Sequence, residues 1–200
     1  MPVFAGPNRA ISGGYPRNNG HAAKPCAQTR SLAGAQATPG DRAGLELTLL
    51  ITHLNCRRLK ASDEEGLATL YEGADGPSLS FLQSLNEKPS GAAWCALSEG
   101  RLLAVVWLNI FQDEAEIIDF RVDISMRRQG VGRYLLNEML NALNLSGIKA
   151  VFLEVRRSNV AAITLYESSG FATIGARNNY YETASGREDA LLMRHDSNKR

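Results

Sequence analysis

The sequence predicts an α/β (α+β) fold in which helices flank one mixed central sheet. Two observations support this prediction. Apolar runs of strand length dominate residues 92–122, whereas strand-like runs and helical patterns alternate later in the chain. Such alternation is typical of parallel strands joined by helical crossovers. The chain has 200 residues, of which 44% are hydrophobic, so it can bury one good core and we expect one folded domain.

Residues 1–44 are predicted to form a disordered tail, and residues 45–200 the folded domain. Up to Gly40 the chain has few large apolar residues, no acidic residue and four basic ones, Arg9, Arg17, Lys24 and Arg30. That composition cannot support a packed core. An organelle transit peptide is an alternative interpretation, although the segment has no clear apolar face. A start codon assigned too far upstream is another.

The first elements of the folded domain follow from local patterns. Residues 45–52 form an extra strand or a short helix, and residues 56–60 the first strand of the domain. A capping box at residues 62–65 predicts a helix through Tyr71, and a second helix is expected near residues 78–85. Strands at residues 92–98 and 101–109 are joined by a tight Glu99-Gly100 turn.

A glycine-rich segment follows a strand-like run at residues 117–122 and opens an amphipathic helix. The two glycines allow a ligand to approach the backbone, and the first turn of the helix offers unpaired N–H groups to an anion. Arginine side chains add positive charge where a phosphate would lie. We therefore expect this loop to bind a diphosphate through Arg127, Arg128, Gln129, Gly130, Val131, Gly132 and Arg133.

The spacing of this loop excludes two common phosphate-binding motifs. A P-loop ends in Lys-Ser or Lys-Thr after a longer gap between glycines, and a dinucleotide fingerprint has three glycines. Neither pattern occurs between Arg127 and Arg133. A glycine-rich turn that binds no ligand remains an alternative.

A further strand is predicted at residues 150–155, followed by a short helix from Val160 to Ser169 that Gly170 stops. A strand, a loop and a last strand ending near Met193 complete the domain. The loop is expected to contain Asn179-Tyr180-Tyr181, which can fold over an open cleft.

The motif Arg-x-x-Gly-x-Gly and the segments after it resemble one family. The run Leu-Glu-Val-Arg-Arg-Ser-Asn-Val-Ala-Ala-Ile at residues 153–163, then Leu-Tyr-Glu-Ser, Arg-Asn-Asn-Tyr-Tyr and Gly-Arg-Glu-Asp-Ala, are similar to the ribosomal-protein-alanine N-acetyltransferases. These are the RimI type of the GNAT superfamily. The resemblance covers residues 56–193 and is strongest after Glu116. It implies the GNAT acyl-CoA N-acyltransferase fold and acetyl-CoA as cosubstrate.

Glu154 is the candidate general base. An α-amino group has a pKa of about 7.7–8.0 and is mostly charged at neutral pH, so amide formation needs a proton acceptor. Glu154 lies near the carboxyl end of a central strand among apolar residues, and partial desolvation would make its carboxylate a stronger proton acceptor. By resemblance it matches the family's base. The alternative is a structural ion pair with Arg156 or Arg121.

Tyr166 matches the family's general acid, which protonates the departing thiolate. Asn159 lies seven residues earlier, and seven residues turn a helix by roughly 700°, so both side chains would point the same way. Asn159 is therefore expected to bond to the pantetheine or phosphate arm of the cofactor. Two alternatives are an N-cap role for Asn159 and core packing for Tyr166.

The resemblance also implies that the strand before the glycine-rich loop pairs with the pantetheine amides through the main chain of Phe120, Arg121 and Val122. Arg121 departs from the family, which has a small residue there. A guanidinium in a central strand needs a partner or an open cleft, so Arg121 is expected to face the cleft or to pair with Glu154 or Glu116. Pairing with Glu154 would weaken the assignment of that residue as base.

The expected acceptor is the amine of a protein N-terminus, in the resembled family the alanine of the eighteenth small-subunit ribosomal protein. Tyr180 and Tyr181 are candidates for lining the acceptor groove, with aromatic packing under a loop as the alternative. Residues 73–78 lack the aromatic, proline-containing loop with which family members receive the peptide. A different protein N-terminus, a small amine, or a non-catalytic module that binds coenzyme A therefore stay open.

Composition excludes several other classes. The net charge is +1 and the basic residues do not form one cluster, so no direct nucleic-acid binding is expected. No apolar run approaches the roughly 20 residues that span a membrane. The three cysteines are odd in number and widely separated, which indicates reduced thiols in the cytoplasm and neither disulfides nor a metal site. The sequence predicts no oligomeric state.

Overall fold

The computed structural model describes residues 53–183 and 186–197. The predicted tail at residues 1–44 and the predicted element at residues 45–52 lie outside the described residues and stay predictions. In chain order, the elements are β1 (Asn55–Arg58), α1 (Glu64–Tyr71), α2 (Leu79–Asn86), β2 (Gly91–Ser98), β3 (Arg101–Phe111), β4 (Glu114–Val122), α3 (Val131–Leu145), β5 (Ala150–Arg156), α4 (Val160–Ser168), β6 (Ala172–Thr183) and β7 (Gly186–Asp196).

The strands form one seven-stranded sheet in the order β1-β2-β3-β4-β5-β7-β6. Only β4 and β5 are parallel, and every other neighbouring pair of described strands is antiparallel. The predicted mixed sheet flanked by helices is therefore confirmed. The β4–β5 pair is parallel because α3, which lies between these strands in the chain, carries the backbone back to the edge of the sheet where β4 begins, and β5 starts there.

The β4–β5 pair separates partway along its length. Cα partners run from Glu114 with Ala150 to Ile117 with Leu153. Beyond these, β4 continues to Val122 and β5 to Arg156 without further pairing between them. The free edges of two central strands thus face a gap, and such a gap can admit a ligand that bonds to the main chain.

Two apolar clusters hold the helices to the two faces of the sheet. The larger cluster includes Leu135, Leu136 and Met139 of α3. The smaller one joins Leu67 of α1 and Leu82 of α2 to the central strands. Since α1 and α2 pack on β2 and β3, they leave the same face of β5 and β7 open near Glu154, where a cavity lies.

The predicted capping box at the start of the first helix is wrong. A 3-10 turn, Ala61–Asp63, precedes the helix, which begins at Glu64 with Asp63 as N-cap. The Asp63 carboxylate accepts the Lys60 amide at 2.8 Å and binds the Arg57 guanidinium at 2.7 Å. Because a guanidinium on β1 is its partner, this carboxylate fixes the start of the helix to the sheet, a contact that the local sequence does not reveal.

The segment with Tyr180 and Tyr181 belongs to β6 and not to a loop, so the prediction of a loop there is wrong. The ladder between β6 and β7 shifts register between Arg177 and Tyr181, and Asn179 has a φ of 55°. Its amide bonds to Asp189 Oδ1 at 3.0 Å. The strand therefore continues across an irregularity, and the two tyrosines remain tied to the sheet.

Candidate active site

The glycine-rich loop forms the N-terminus of α3. Gly130 is the N-cap and has a φ of 89°, a conformation that costs glycine little. The Tyr134 amide donates to Gly130 O at 2.9 Å. The amides of Val131, Gly132 and Arg133 therefore have no acceptor within the helix. These donors, at the positive end of the helix dipole, suit a diphosphate.

Gly132 lets the helix start approach β4 and α4 closely. A β-carbon at this position would lie 3.3 Å from Val122 Cγ2, 3.4 Å from Leu165 Cδ2 and 3.5 Å from Phe120 Cε1. The loop, the end of β4 and α4 thus form one continuous wall of the gap. A β-carbon at position 132 would therefore be in tight contact with Val122 and in ordinary van der Waals contact with Leu165 and Phe120.

Polar side chains of the loop bond to neighbouring segments. These bonds run from Arg127 Nε to Val122 O at 3.3 Å, from Gln129 Nε2 to Ser125 O at 2.8 Å, and from Arg133 to Ser168 Oγ at 3.1 Å. Arg128 has a φ of 61°. These side chains therefore hold the loop in place, and the binding of an anion by the loop stays a prediction.

Tyr166 of α4 packs next to Phe120, which lies in the part of β4 that does not pair with β5. Its ring packs edge-on against Phe120, with centroids 6.4 Å apart, and tilts against Phe171 at 5.5 Å. The side chain is buried. Burial raises the pKa of the phenol well above its usual range, and the charges of Asp119 and Tyr181 raise it further. Tyr166 therefore stays protonated, as a proton donor must.

Asn159 is the N-cap of α4, where its Oδ1 accepts the Ala162 amide at 3.2 Å. The structure thus shows the structural role that the sequence left as an alternative. The amide nitrogen of the same side chain is not needed for the cap. A contact between Asn159 and the cofactor stays a prediction.

Glu154 of β5 is paired with a residue that the sequence did not suggest. Arg177 Nε, on β6, lies 3.0 Å from Glu154 Oε1. The expected alternatives, Arg156 and Arg121, have other partners: Arg156 is 3.8 Å from Glu188 and Arg121 binds Asp119. The strand order brings Arg177 near because only β7 separates β6 from β5. Glu154 is therefore an oriented carboxylate with a cationic neighbour.

A cavity of about 330 Å³ opens beside Glu154 and Arg177. Glu116 and Phe152 also line it. Burial raises the pKa of Glu116, and the charge of Glu154 raises it further. The charge of Arg177 opposes these two effects, so both carboxylates and the guanidinium are close enough to interact.

The two predicted acceptor residues lie on β6 near Glu154 but do not line this cavity. The rings of Tyr180 and Tyr181 are 5.0 Å apart and nearly perpendicular, and the Arg156 guanidinium lies 4.3 Å from the Tyr181 ring centre. For both phenols burial raises the pKa most, followed by the charge of Glu154. The tyrosines therefore lie near the base, and whether they contact an acceptor stays a prediction.

Arg121 does not reach Glu154 or Glu116, so the pairing expected from the sequence is wrong. Its Nε donates to Asp119 Oδ2 at 2.9 Å, and its guanidinium stacks 4.2 Å from the centre of the Tyr71 ring and donates to Asp75 O. Tyr71 also bonds to Asp119 and accepts from Trp107 Nε1. These contacts with Asp119, Tyr71 and Asp75 turn Arg121 toward the α1–α2 loop.

The comparisons with known proteins decide the family. The acetyltransferase (GNAT) family model matches residues 56–171, which include β4, the glycine-rich loop, β5 and α4. This chain belongs to the GNAT family. The GNAT family uses acetyl-CoA, and the orphan amides, the close approach at Gly132 and the gap between β4 and β5 fit that ligand.

Relatives within the GNAT family share much of this sequence. The [Ribosomal protein bS18]-alanine N-acetyltransferase of Escherichia coli strain K12 is 45% identical over 94 residues, which are 47% of this chain and 64% of that protein. The N-alpha-acetyltransferase RimI of Mycobacterium tuberculosis is 42% identical over 84 residues, 42% of this chain and 50% of that protein. These alignments thus span less than two thirds of the curated relatives' own length.

A solved GNAT structure matches over a longer range. The crystal structure of the ribosomal-protein-S18-alanine N-acetyltransferase from Escherichia coli has a TM-score of 0.68 and 32% identity, and the match covers 74% of this chain and 96% of that one. The resemblance found in the sequence is therefore confirmed at the level of family and fold.

Within residues 53–183 and 186–197, no cluster of three or more His, Cys, Asp or Glu side chains is arranged to hold a metal ion. Over the same part of the chain, each helix is too short or too polar to cross a bilayer.

Proposed function

We propose that this GNAT protein transfers an acetyl group from acetyl-CoA to the α-amino group of a protein N-terminus, with an alanine-starting ribosomal protein as the favoured acceptor. The observation that carries the proposal is the position of Glu154 and Tyr166, which flank the gap where β4 and β5 separate. The names of the relatives support the choice of acceptor. A ribosomal acceptor implies action in the cytoplasm.

Different residues around the gap would bind different parts of acetyl-CoA. Acetyl-CoA would supply the acetyl group as a thioester. The amides of Val131, Gly132 and Arg133 would hold its diphosphate, with the arginines and Gln129 of the loop around it. The free edge of β4, from Phe120 to Val122, would bond to its pantetheine arm, and Asn159 would add a side-chain contact.

The two proposed catalytic residues transfer protons at different steps of the reaction, one from the amine and one to the sulfur. Glu154 would take the proton that the attacking amine loses, and its pairing with Arg177 holds one carboxylate oxygen in place. Tyr166 would donate its phenolic proton to the departing sulfur, because burial keeps the phenol neutral. Tyr180 and Tyr181 would border the acceptor.

A panel of N-terminal peptides incubated with acetyl-CoA tests the proposal. We expect acetylation of the α-amine of alanine-starting peptides, located by mass spectrometry, and no acetylation when the N-terminus is blocked. Transfer to small polyamines alone would favour the alternative of a small-amine acceptor. Binding of coenzyme A without any transfer would favour the non-catalytic alternative.

A further inference from the structure

The phenol of Tyr166 is held by ring packing. Among the residues that the structure describes, no partner bonds to its hydroxyl. The ring contacts that of Phe120, with centroids 6.4 Å apart, and that of Phe171, at 5.5 Å. Phe171 is itself buried. The direction of the hydroxyl therefore depends on the aromatic rings around it, and on the groups that hold those rings in place.

The imidazole of His195, on β7, is the next ring in this row. Its centroid lies 5.3 Å from that of Phe171, and the two planes are inclined at 48°. His195 pairs with Val151 of β5 in the sheet, so the backbone that carries the imidazole is fixed by a strand pair. Four rings thus connect β7 to the unpaired end of β4: His195, Phe171, Tyr166 and Phe120.

The end of α4 also packs against His195. A β-carbon at Gly170 would lie 3.2 Å from His195 Cδ2 and 3.5 Å from its Nε2. The amides of Ser169 and Phe171 both donate to Tyr166 O at 3.0 Å, so this turn is bonded to the backbone of Tyr166. The imidazole therefore contacts both the ring beside the proposed proton donor and the turn that ends its helix.

The surroundings of His195 favour a neutral ring that acts by packing. Its Nδ1 is buried and has no hydrogen-bond partner among the described residues, which costs stability. Burial lowers the pKa of His195, although the charge of Asp196 opposes this shift. The ring is therefore uncharged near neutral pH and can lie against the apolar Phe171. What His195 supplies here is the shape and position of its ring, and no hydrogen bond through Nδ1.

We propose that His195 is a positioning residue for the transfer reaction: through Phe171 it holds Tyr166 in the orientation from which the phenol protonates the departing sulfur. This inference rests on the proposed function, because it takes Tyr166 as the proton donor. Since Phe171 lies between the two rings, His195 acts on orientation and takes no part in proton transfer. Misplacement of a reacting group by about 1 Å can lower a rate by about 100-fold, so support at this distance can affect turnover.

Kinetics of His195 variants with an alanine-starting peptide test the proposal. His195→Ala should lower kcat by about tenfold, because Phe171 loses its support, and should leave the KM for acetyl-CoA unchanged. His195→Phe keeps a ring at this position and should retain kcat within about twofold. His53→Ala, which removes an exposed imidazole, should change neither value. An unchanged kcat in His195→Ala would overturn the proposal, as would a loss that appears only in the KM for acetyl-CoA.

The same change in a Tyr166→Phe background separates positioning from a general weakening of the fold. Without the phenolic hydroxyl, His195→Ala should change kcat by less than about twofold, because a positioning effect requires the group that is positioned. A further tenfold loss in that background would show that His195 acts by another route and would overturn the proposal.

A measurement without catalysis separates this inference from the proposed function. The protein has six tyrosines, and incorporation of 3-fluorotyrosine gives each a fluorine resonance, of which Tyr166→Phe identifies one. His195→Ala should shift or broaden that resonance, and His53→Ala should not. If the native protein acetylates no peptide, the proposed function fails, while a shifted resonance still supports the coupling of His195 to Tyr166. Acetylation by the native protein, with an unmoved resonance in His195→Ala, overturns the positioning role alone.

Discussion

Glu154 and Arg177 show how a single ion pair shapes the site. The guanidinium is half exposed, whereas the carboxylate is 19% exposed. Arg177 and the Tyr180 phenol both bond to this carboxylate, which lines the cavity. The pair therefore positions the proposed base without excluding it from the reaction.

Glu154→Gln should lower kcat by about 100- to 10,000-fold near neutral pH, the usual contribution of a general base. The affinity for acetyl-CoA should not change, because the proposed cofactor contacts lie on β4, α3 and α4. The rate should recover partly as the pH rises through about 8, where the acceptor amine loses its own proton. A pH–rate profile and calorimetry with coenzyme A check this, and unchanged kinetics would remove Glu154 from the mechanism.

Tyr166→Phe should slow turnover and leave the affinity for coenzyme A intact, since the ring contacts with Phe120 and Phe171 survive the change. We expect a loss in kcat of about 100-fold or more for a missing general acid. Steady-state kinetics and calorimetry measure the two effects separately. A loss confined to cofactor affinity would make Tyr166 a packing residue.

At the scale of elements, two glycines at the ends of α3 allow a matched comparison. Gly130 begins the helix with a φ of 89° and Gly147 follows its end with a φ of 85°, and a β-carbon at either position would meet no atom within 4 Å. Both sites therefore carry similar backbone strain for any other residue. Only Gly130 lies in the proposed diphosphate loop.

Gly130→Ala and Gly147→Ala should each lower the free energy of unfolding by about 1–2 kcal/mol, because alanine is strained at positive φ. Only Gly130→Ala should also weaken the binding of coenzyme A, by about tenfold or more. Urea denaturation and calorimetry report the two effects. Equal affinities of both variants for coenzyme A would argue against a ligand at this loop.

The α1–α2 loop is held to β4 by Arg121. Its side chain is 15% exposed and bonds to Asp119, and it also donates to Asp75 O in the loop. Gly76 packs against the guanidinium, since a β-carbon there would lie 3.2 Å from it. Arg121 thus attaches the α1–α2 loop to β4 through polar contacts.

Arg121→Ala should lower the free energy of unfolding by about 1–3 kcal/mol, because it leaves the partly buried Asp119 without its cation. Lys149→Ala is the control: it removes an exposed lysine from the exposed carboxylate of Asp113 and should have little effect on stability. Urea denaturation compares them. Equal losses would mean that the attachment of the loop contributes no more than a surface pair.

At the scale of the whole molecule, buried tyrosines make the fold sensitive to alkali. Burial raises the pKa of Tyr71 and of Tyr166 well above the usual range, with a further contribution from Asp119 to both. In an unfolded chain both phenols would ionise near a pKa of about 10. Below that pH neither state loses a proton from these groups, so stability is unaffected.

Above about pH 10, the free energy of unfolding should fall by up to about 1.4 kcal/mol per pH unit for each of the two phenols, because only the unfolded chain releases their protons. Urea denaturation between about pH 8 and 11 measures the slope. Tyr166→Phe should make the fall shallower. An unchanged slope in that variant would show that Tyr166 does not contribute to it.

The sequence by itself determined the order of strands and helices, the family, and the groups that local spacing brings together. Gly130 and Gly132 lie within one turn, and Glu154 is part of a continuous motif. Patterns within a short stretch of sequence were therefore sufficient to identify these residues as candidates. The start of α1 and the strand at Tyr180 were mispredicted because ion pairs and register shifts from other segments fix them.

Only the tertiary structure decided which charged side chains form ion pairs with each other. Arg177 reaches Glu154 because β7 inserts between their strands and places β6 beside the site. Arg121 turns to Asp119 and the α1–α2 loop, 46 residues earlier, and not to the base. Ion pairs depend on distances of a few ångströms between segments far apart in the chain, and such distances follow from packing rather than from local pattern.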